Sequence, residues 1–144
     1  MLKMGLIISI FAVCAYADVK ESAIRNLTNK IIEEKIPNCL DVTTHYDKVY
    51  CAGKIYNVLD DELNGVYKSL VRKLSKDQKS KLQKVQKTWI NKRDDSCATV
   101  SSKGIIINMT CSIKATVESL YYLREIKSNL KDFSLLLKEY KNNK

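Results

Sequence analysis

Punctuation is scarce in this chain. Four glycines and a single proline, Pro37, are spread over 144 residues, which leaves few places for tight turns. Lys, Leu and Ile dominate instead, a composition that leans helical. Histidine is almost missing: His45 stands alone, and no two cysteines have the two-residue spacing of a zinc knuckle, so no metal donor set is legible. Nothing marks a reactive cysteine, and no nucleophile is paired with a base. We therefore expect no metal, no cofactor and no catalytic residue. Internal repeats, low-complexity tracts and a second domain are also absent.

The first 17 residues differ from the rest. Lys3 is followed by the apolar run Gly5 to Val13 and then by Ala15-Tyr16-Ala17, the pattern of a secretory signal peptide cleaved before Asp18. The run is too short to span a bilayer, so no transmembrane segment is expected in the mature chain. Cys14 as a lipid attachment point is the weaker reading, because Val13 precedes it where lipoprotein signals place a small residue. Residues 18–144 suit one compact domain. Export, to the periplasm or the medium, puts Cys39, Cys51, Cys97 and Cys111 in an oxidising compartment. Their even count reads as two disulfides with three possible connectivities.

From Ser22, Ile24, Leu27, Ile31 and Ile32 recur at helical spacing until Ile36 meets Pro37, which disfavours helix in the residue before it. Asn38 to Tyr50 has no clear period and reads as a connector with at most a short helical turn. A long stripe follows at Ile55, Leu59, Leu63, Val66, Leu70 and Leu74. Ser75-Lys76-Asp77-Gln78 is a capping box that starts a new helix, with Leu82, Val85, Trp89 and Ile90 on its apolar face and an end near Asp95. The two form an antiparallel helical hairpin. Ala98 to Thr110 reads as a loop or a short strand, and from Ser112 a final helix, kinked near Ser128 and Asn129, runs almost to the end.

The hairpin has a register. With its turn at Ser75, facing residues sum to about 150, so Asn64 faces Gln86, Asp60 faces Ile90 and Tyr56 faces Asp94. Asp60, Asn64, Tyr67, Gln86, Trp89 and Arg93 then form a structural network, in which Arg93 pairs with Asp60 and lies against Trp89. A carboxylate, an amide and an arginine invite a catalytic reading. A polar layer that holds two helices in register needs the same residues and is favoured. The same register brings Cys51 and Cys97 to one end of the hairpin. All three pairings remain sterically possible, and Cys39 with Cys51 and Cys97 with Cys111 are favoured because each closes a short loop.

The string Y-N-V-L-D-D-E-L-N-G-V-Y, then L-Q-K-V-Q-K-T-W-I-N-K-R-D-D-S-C, then C-S-I-K-A-T resembles the LprI-like lysozyme inhibitor family of bacterial exported proteins. The resemblance spans about Cys39 to Leu123 and rests on Asp60, Leu63, Asn64, Tyr67, Gln86, Trp89, Arg93, Asp94, Cys97, Cys111 and Thr116. It implies a small helical exported domain and a protein partner, lysozyme. The chain departs from the family where the glycine-rich link between the third and fourth cysteines shrinks to Gly104, and where Ser119 replaces an arginine. Asn26-Leu27-Thr28 and Asn108-Met109-Thr110 fit the glycosylation pattern but are expected to be unused in a bacterial protein.

Charge adds a second hint. Removing Lys3 with the leader leaves 24 basic residues against 16 acidic ones, and Lys68 to Arg93 holds ten basic residues with Asp77 the sole acid. Lys73, Lys76, Lys79, Lys81 and Lys84 crowd the hairpin tip. An anionic envelope surface is a fitting partner, whereas nucleic acid suits the charge and not the compartment. Animal-type lysozymes are usually basic, so inhibition would need local fit, for instance a basic residue in the enzyme's cleft. A second candidate surface is Ile105, Ile106 and Ile107, for which packing into the bundle is favoured over contact with a partner.

The expectation is thus an all-α protein, a small helical bundle on an antiparallel hairpin with two disulfides, that acts by binding. Lysozyme inhibition leads. The alternative is an envelope-associated accessory or immunity-type protein that binds an anionic surface or another periplasmic partner through its basic hairpin.

Overall fold

The computed structural model describes the backbone of residues 7–143 and the side chains of residues 19–143. Among the described residues there are five α-helices: α1 (Ile7–Lys35), α2 (His45–Val71), α3 (Lys76–Cys97), α4 (Met109–Ser128) and α5 (Phe133–Asn142). Between α3 and α4 an antiparallel ribbon of β1 (Ala98–Ser101) and β2 (Gly104–Ile107) stands on its own. The side chains of the expected leader, Met1 to Ala17, lie outside the described residues.

Helix α1 stops at Lys35, and Pro37–Cys39 makes a single 3-10 turn. The connector that follows is shorter than the sequence suggests. Thr44 accepts from the Asp47 amide at 3.1 Å, and this cap starts α2 at His45, so His45 to Tyr50 are helical. Asp47 in the first turn adds a favourable charge at the helix N-terminus. Leu59, Leu63, Val66 and Leu70 are the buried stripe of α2, and Leu74 closes it. At the tip both halves of the Ser75–Gln78 capping box are made, at 3.0 and 3.3 Å.

Helix α4 is the element around which the bundle is organised. It runs closest to α2, also touches α1, α3 and α5, and buries Val117, Leu120, Leu123 and Ile126. The antiparallel pair α2 and α3 is held less by its own backbones than by this third helix. Fully buried Leu59, Leu70, Leu82, Leu120 and Leu123 each contribute roughly 2 kcal/mol of apolar burial. On α3 only Leu82 and Gln86 are buried before the disulfide, Val85 and Trp89 are partly covered, and Ile90 is exposed. The apolar face of α3 is too narrow to be enclosed on both flanks.

The final helix does not kink; it turns back. At Asn129 the backbone leaves helical values, and the Asn129 side chain donates to the Glu125 carbonyl. The Tyr140 ring then stacks on Tyr122 with centroids 5.3 Å apart, where a continuous helix would separate them by about 27 Å. Phe133, Leu137 and Tyr140 of α5 thereby enter the core. Lys20 of α1 meets this end of the bundle, donating to Tyr122 Oη at 2.7 Å and to Asn143 Oδ1 at 2.6 Å.

Both disulfides are local. Cys39 joins Cys51 and Cys97 joins Cys111, the two short-loop pairings. All four cysteines lie at the pole of the bundle opposite the Ser75 turn.

Candidate functional site

Three surfaces converge enough side chains to be considered. The first is the seam between α2 and α3. Arg93, with its side chain only 12% exposed, reaches Asp60 Oδ1 at 3.4 Å and donates through Nε to Asp94 Oδ1 at 2.9 Å. Its guanidinium lies 5.0 Å from the Trp89 ring centroid and 5.7 Å from that of Tyr56. Burial alone would lower the Arg93 pKa, but the hydrogen bond to Asp94 and the charges of Tyr56, Asp94 and Asp60 outweigh it, so the net shift is upward. Asn64 donates to Asp60 Oδ2 at 3.1 Å, which fixes the second carboxylate oxygen.

Gln86 is not part of that cluster. Its Oε1 accepts from Tyr140 Oη at 2.7 Å, and the same hydroxyl meets Ser119. Asp60, Asn64, Tyr67, Gln86, Trp89 and Arg93 do line one shallow groove of about 460 Å³. No serine, threonine, cysteine or histidine lines it, so the groove offers no hydroxyl or thiol nucleophile beyond the Tyr67 phenol. Its arginine is already engaged by two carboxylates. His45 is elsewhere, in the first turn of α2. Through Asp60 and Arg93 this surface joins α2 to α3.

The second surface is basic. Lys73, Lys76, Lys79, Lys81 and Lys84 are all exposed at and beyond the Ser75 turn, and Lys81 pairs with Asp77 at 2.8 Å. Lys81 and Lys84 continue into a groove between α3 and α5 of about 520 Å³. Lys92, Lys138 and Lys141 complete its rim over a floor of Val85, Trp89 and Leu137, and no acidic residue lines it. The contribution of α5 was not legible, because the lysines meet only after the chain turns back at Asn129.

The third surface is the ribbon, and here the expectation of core packing fails. Ile105, Ile106 and Ile107 are 61–68% exposed, and Val100 opposite them is 81% exposed. The reason is geometric: a two-stranded ribbon leaving the end of α3 has no third strand or helix to cover it. Gly104, at φ 126°, allows the chain to re-enter β2 after the Ser102–Lys103 turn, a conformation that other residues rarely adopt. Ser101-Ser102-Lys103-Gly104 was the available turn signal. Of the two readings of Ala98 to Thr110, loop or short strand, the strand holds, and it is doubled into a hairpin.

A family described as lysozyme inhibitor LprI matches residues 39–127, which contain both disulfides, the hairpin, the ribbon and nearly all of α4. The chain belongs to the LprI lysozyme inhibitor family. No curated protein and no solved structure matches it. The LprI match leaves out α5, which supplies Leu137, Tyr140 and part of the lysine groove. Asp60, Asn64, Trp89 and Arg93 of the LprI motif strings are occupied with one another at the seam. The ribbon, by contrast, turns Val100 and Ile105 to Ile107 outward, as the first turns of α2 do Tyr46, Val49 and Tyr50.

Proposed function

We propose that this protein is an exported binding protein that inhibits lysozyme by protein–protein contact. The observation that carries the reading is the LprI match across residues 39–127, on a rigid domain crosslinked twice at one pole. The leader-like Met1 to Ala17 and the two disulfides fit a periplasmic or secreted location. A crosslinked helical scaffold loses little conformational freedom when it docks, which favours tight contact with a folded enzyme.

The test is a cell-wall lysis assay with purified, oxidised protein and lysozymes of several structural types. Inhibition approaching completion near equimolar protein is expected. Undiminished lysis at a hundredfold molar excess against every type would remove the reading.

A second reading is favoured by one specific feature, the five lysines of the groove between α3 and α5. They give an envelope-associated protein a face for anionic surfaces. Sedimentation with anionic vesicles at low and high salt separates this role from inhibition.

A further inference from the structure

We infer that the ribbon's apolar face, with the acidic groove beneath it, is the surface that docks onto a cationic lysozyme. The inference rests on the reading of the protein as a lysozyme inhibitor and adds where the contact lies.

The register pairs Ala98 with Ile107 and Val100 with Ile105, so these four side chains share one face of the ribbon. Thr99, Ser101, Gly104 and Ile106 share the other. Paired apolar residues on one face would normally be covered, yet Val100, Ile105 and Ile107 are each more than 60% exposed. Clustered aliphatic exposure of this kind marks an interaction site more often than scattered single residues do. The Cys97–Cys111 bridge ties the ribbon's two ends together, so the face is presented without a large ordering cost on binding.

Charge selects the occupant. The same three side chains roof a groove of about 490 Å³ whose other wall includes Tyr56 and Met109, with Asp94 and Asp95 at its side. Two carboxylates and no basic residue line it; Asp94 is already paired with Arg93, so Asp95 is the carboxylate left to meet a cation. The lysines of the hairpin tip lie about 30 Å away by helix rise, while Lys92 and, in the ribbon's own turn, Lys103 stand nearer but outside the groove. A cationic partner is repelled by the lysine faces and accepted where the lining carries carboxylates and no basic residue, in the groove under the ribbon. An animal-type lysozyme, basic overall, therefore approaches in the orientation that brings an apolar side chain flanked by lysine or arginine into the groove. This reverses the arrangement in which the inhibitor supplies the basic residue.

The experiment measures binding of a basic animal-type lysozyme by calorimetry, with the unaltered oxidised protein and three variants. Val100→Ser, Ile105→Ser and Ile107→Ser combined should weaken binding at least tenfold while circular dichroism and melting stay unchanged, since the three side chains are exposed. Asp95→Lys should weaken it at least fivefold at low salt and less at high salt. Leu135→Ser, an exposed apolar residue on α5, should change it less than twofold. In the unaltered complex, hydrogen exchange should slow across residues 98–107. Binding that survives the triple change overturns this site and leaves the inhibitor reading standing. No binding by the unaltered protein overturns this site, whose occupant is a basic animal-type lysozyme, while the lysis assay across lysozyme types decides the inhibitor reading separately. Dimerisation that the triple change abolishes would assign the face to a second copy and overturn the proposal.

Discussion

The Tyr140 hydroxyl donates to Gln86 Oε1 at 2.7 Å and so fastens the last helix to α3, 54 residues earlier in the chain. Ser119 of α4 meets the same hydroxyl, which makes Tyr140 the point where three helices are joined by polar contacts inside the core. Burial pushes the Tyr140 pKa far above the usual phenol value, against smaller lowering effects from Ser119 and the Arg93 charge. The side chain is therefore neutral and able to donate throughout the physiological range.

The first prediction concerns alkaline pH. A phenol whose folded pKa is raised gives stability that is complete below the unfolded value of about 10 and is lost as pH rises above it. Tyr122 is shifted the same way, by burial first and then by Glu139 and Glu118. Urea midpoints should hold steady to about pH 9.5 and fall above pH 10. Tyr140→Phe should cost about 1–2 kcal/mol at neutral pH and make the alkaline fall shallower. An equally steep fall in the variant would exclude Tyr140 as its source.

Arg93 is the second test. Arg93→Ala removes two charge-assisted contacts and the stacking on Trp89, and should cost about 2 kcal/mol. Both carboxylates keep some access to water, at 36% and 60% exposure, so the loss falls short of that for a sealed ion pair. Arg93→Lys should recover part of it, since an ammonium retains the charge without the planar fork. Calorimetric melting would show the order unaltered, Lys, Ala. A melting temperature unmoved by Ala would show that the seam does not depend on this contact.

Thr116 gives a prediction of opposite sign. Its side chain is fully buried on α4, and its hydroxyl has no partner among the described residues. Thr116→Val keeps the shape and removes an unsatisfied polar atom, so stability should rise by about 1 kcal/mol. A drop in the denaturation midpoint would reveal a hydrogen bond through bound water.

Much of the bundle was legible because its signals are local. Pro37 after Ile36 ended α1, the stripe from Leu59 to Leu74 marked α2, and Ser75 with Gln78 marked the turn. Disulfide pairing followed the same logic, since each bridge closes a short loop. What escaped depended on distant partners. Ser128 and Asn129 signalled a kink, but with no glycine or proline there and helical spacing continuing from Ile113 to Tyr140, nothing announced a full reversal. Gln86 finds Tyr140 only because of that reversal, so the facing-residue rule for the hairpin could not reveal its partner. Ile105 to Ile107 looked like core because hydrophobicity says nothing of whether a neighbour exists to cover it.

The spacing of the bridges, 12 and 14 residues, has a consequence for biogenesis. Under the proposed export, a chain threaded N-terminus first into an oxidising space delivers Cys39 and Cys51 well before Cys97 and Cys111 emerge. Joining each thiol to the next one to arrive produces the native pairing, so sulfhydryl shuffling by an isomerase has no error to correct.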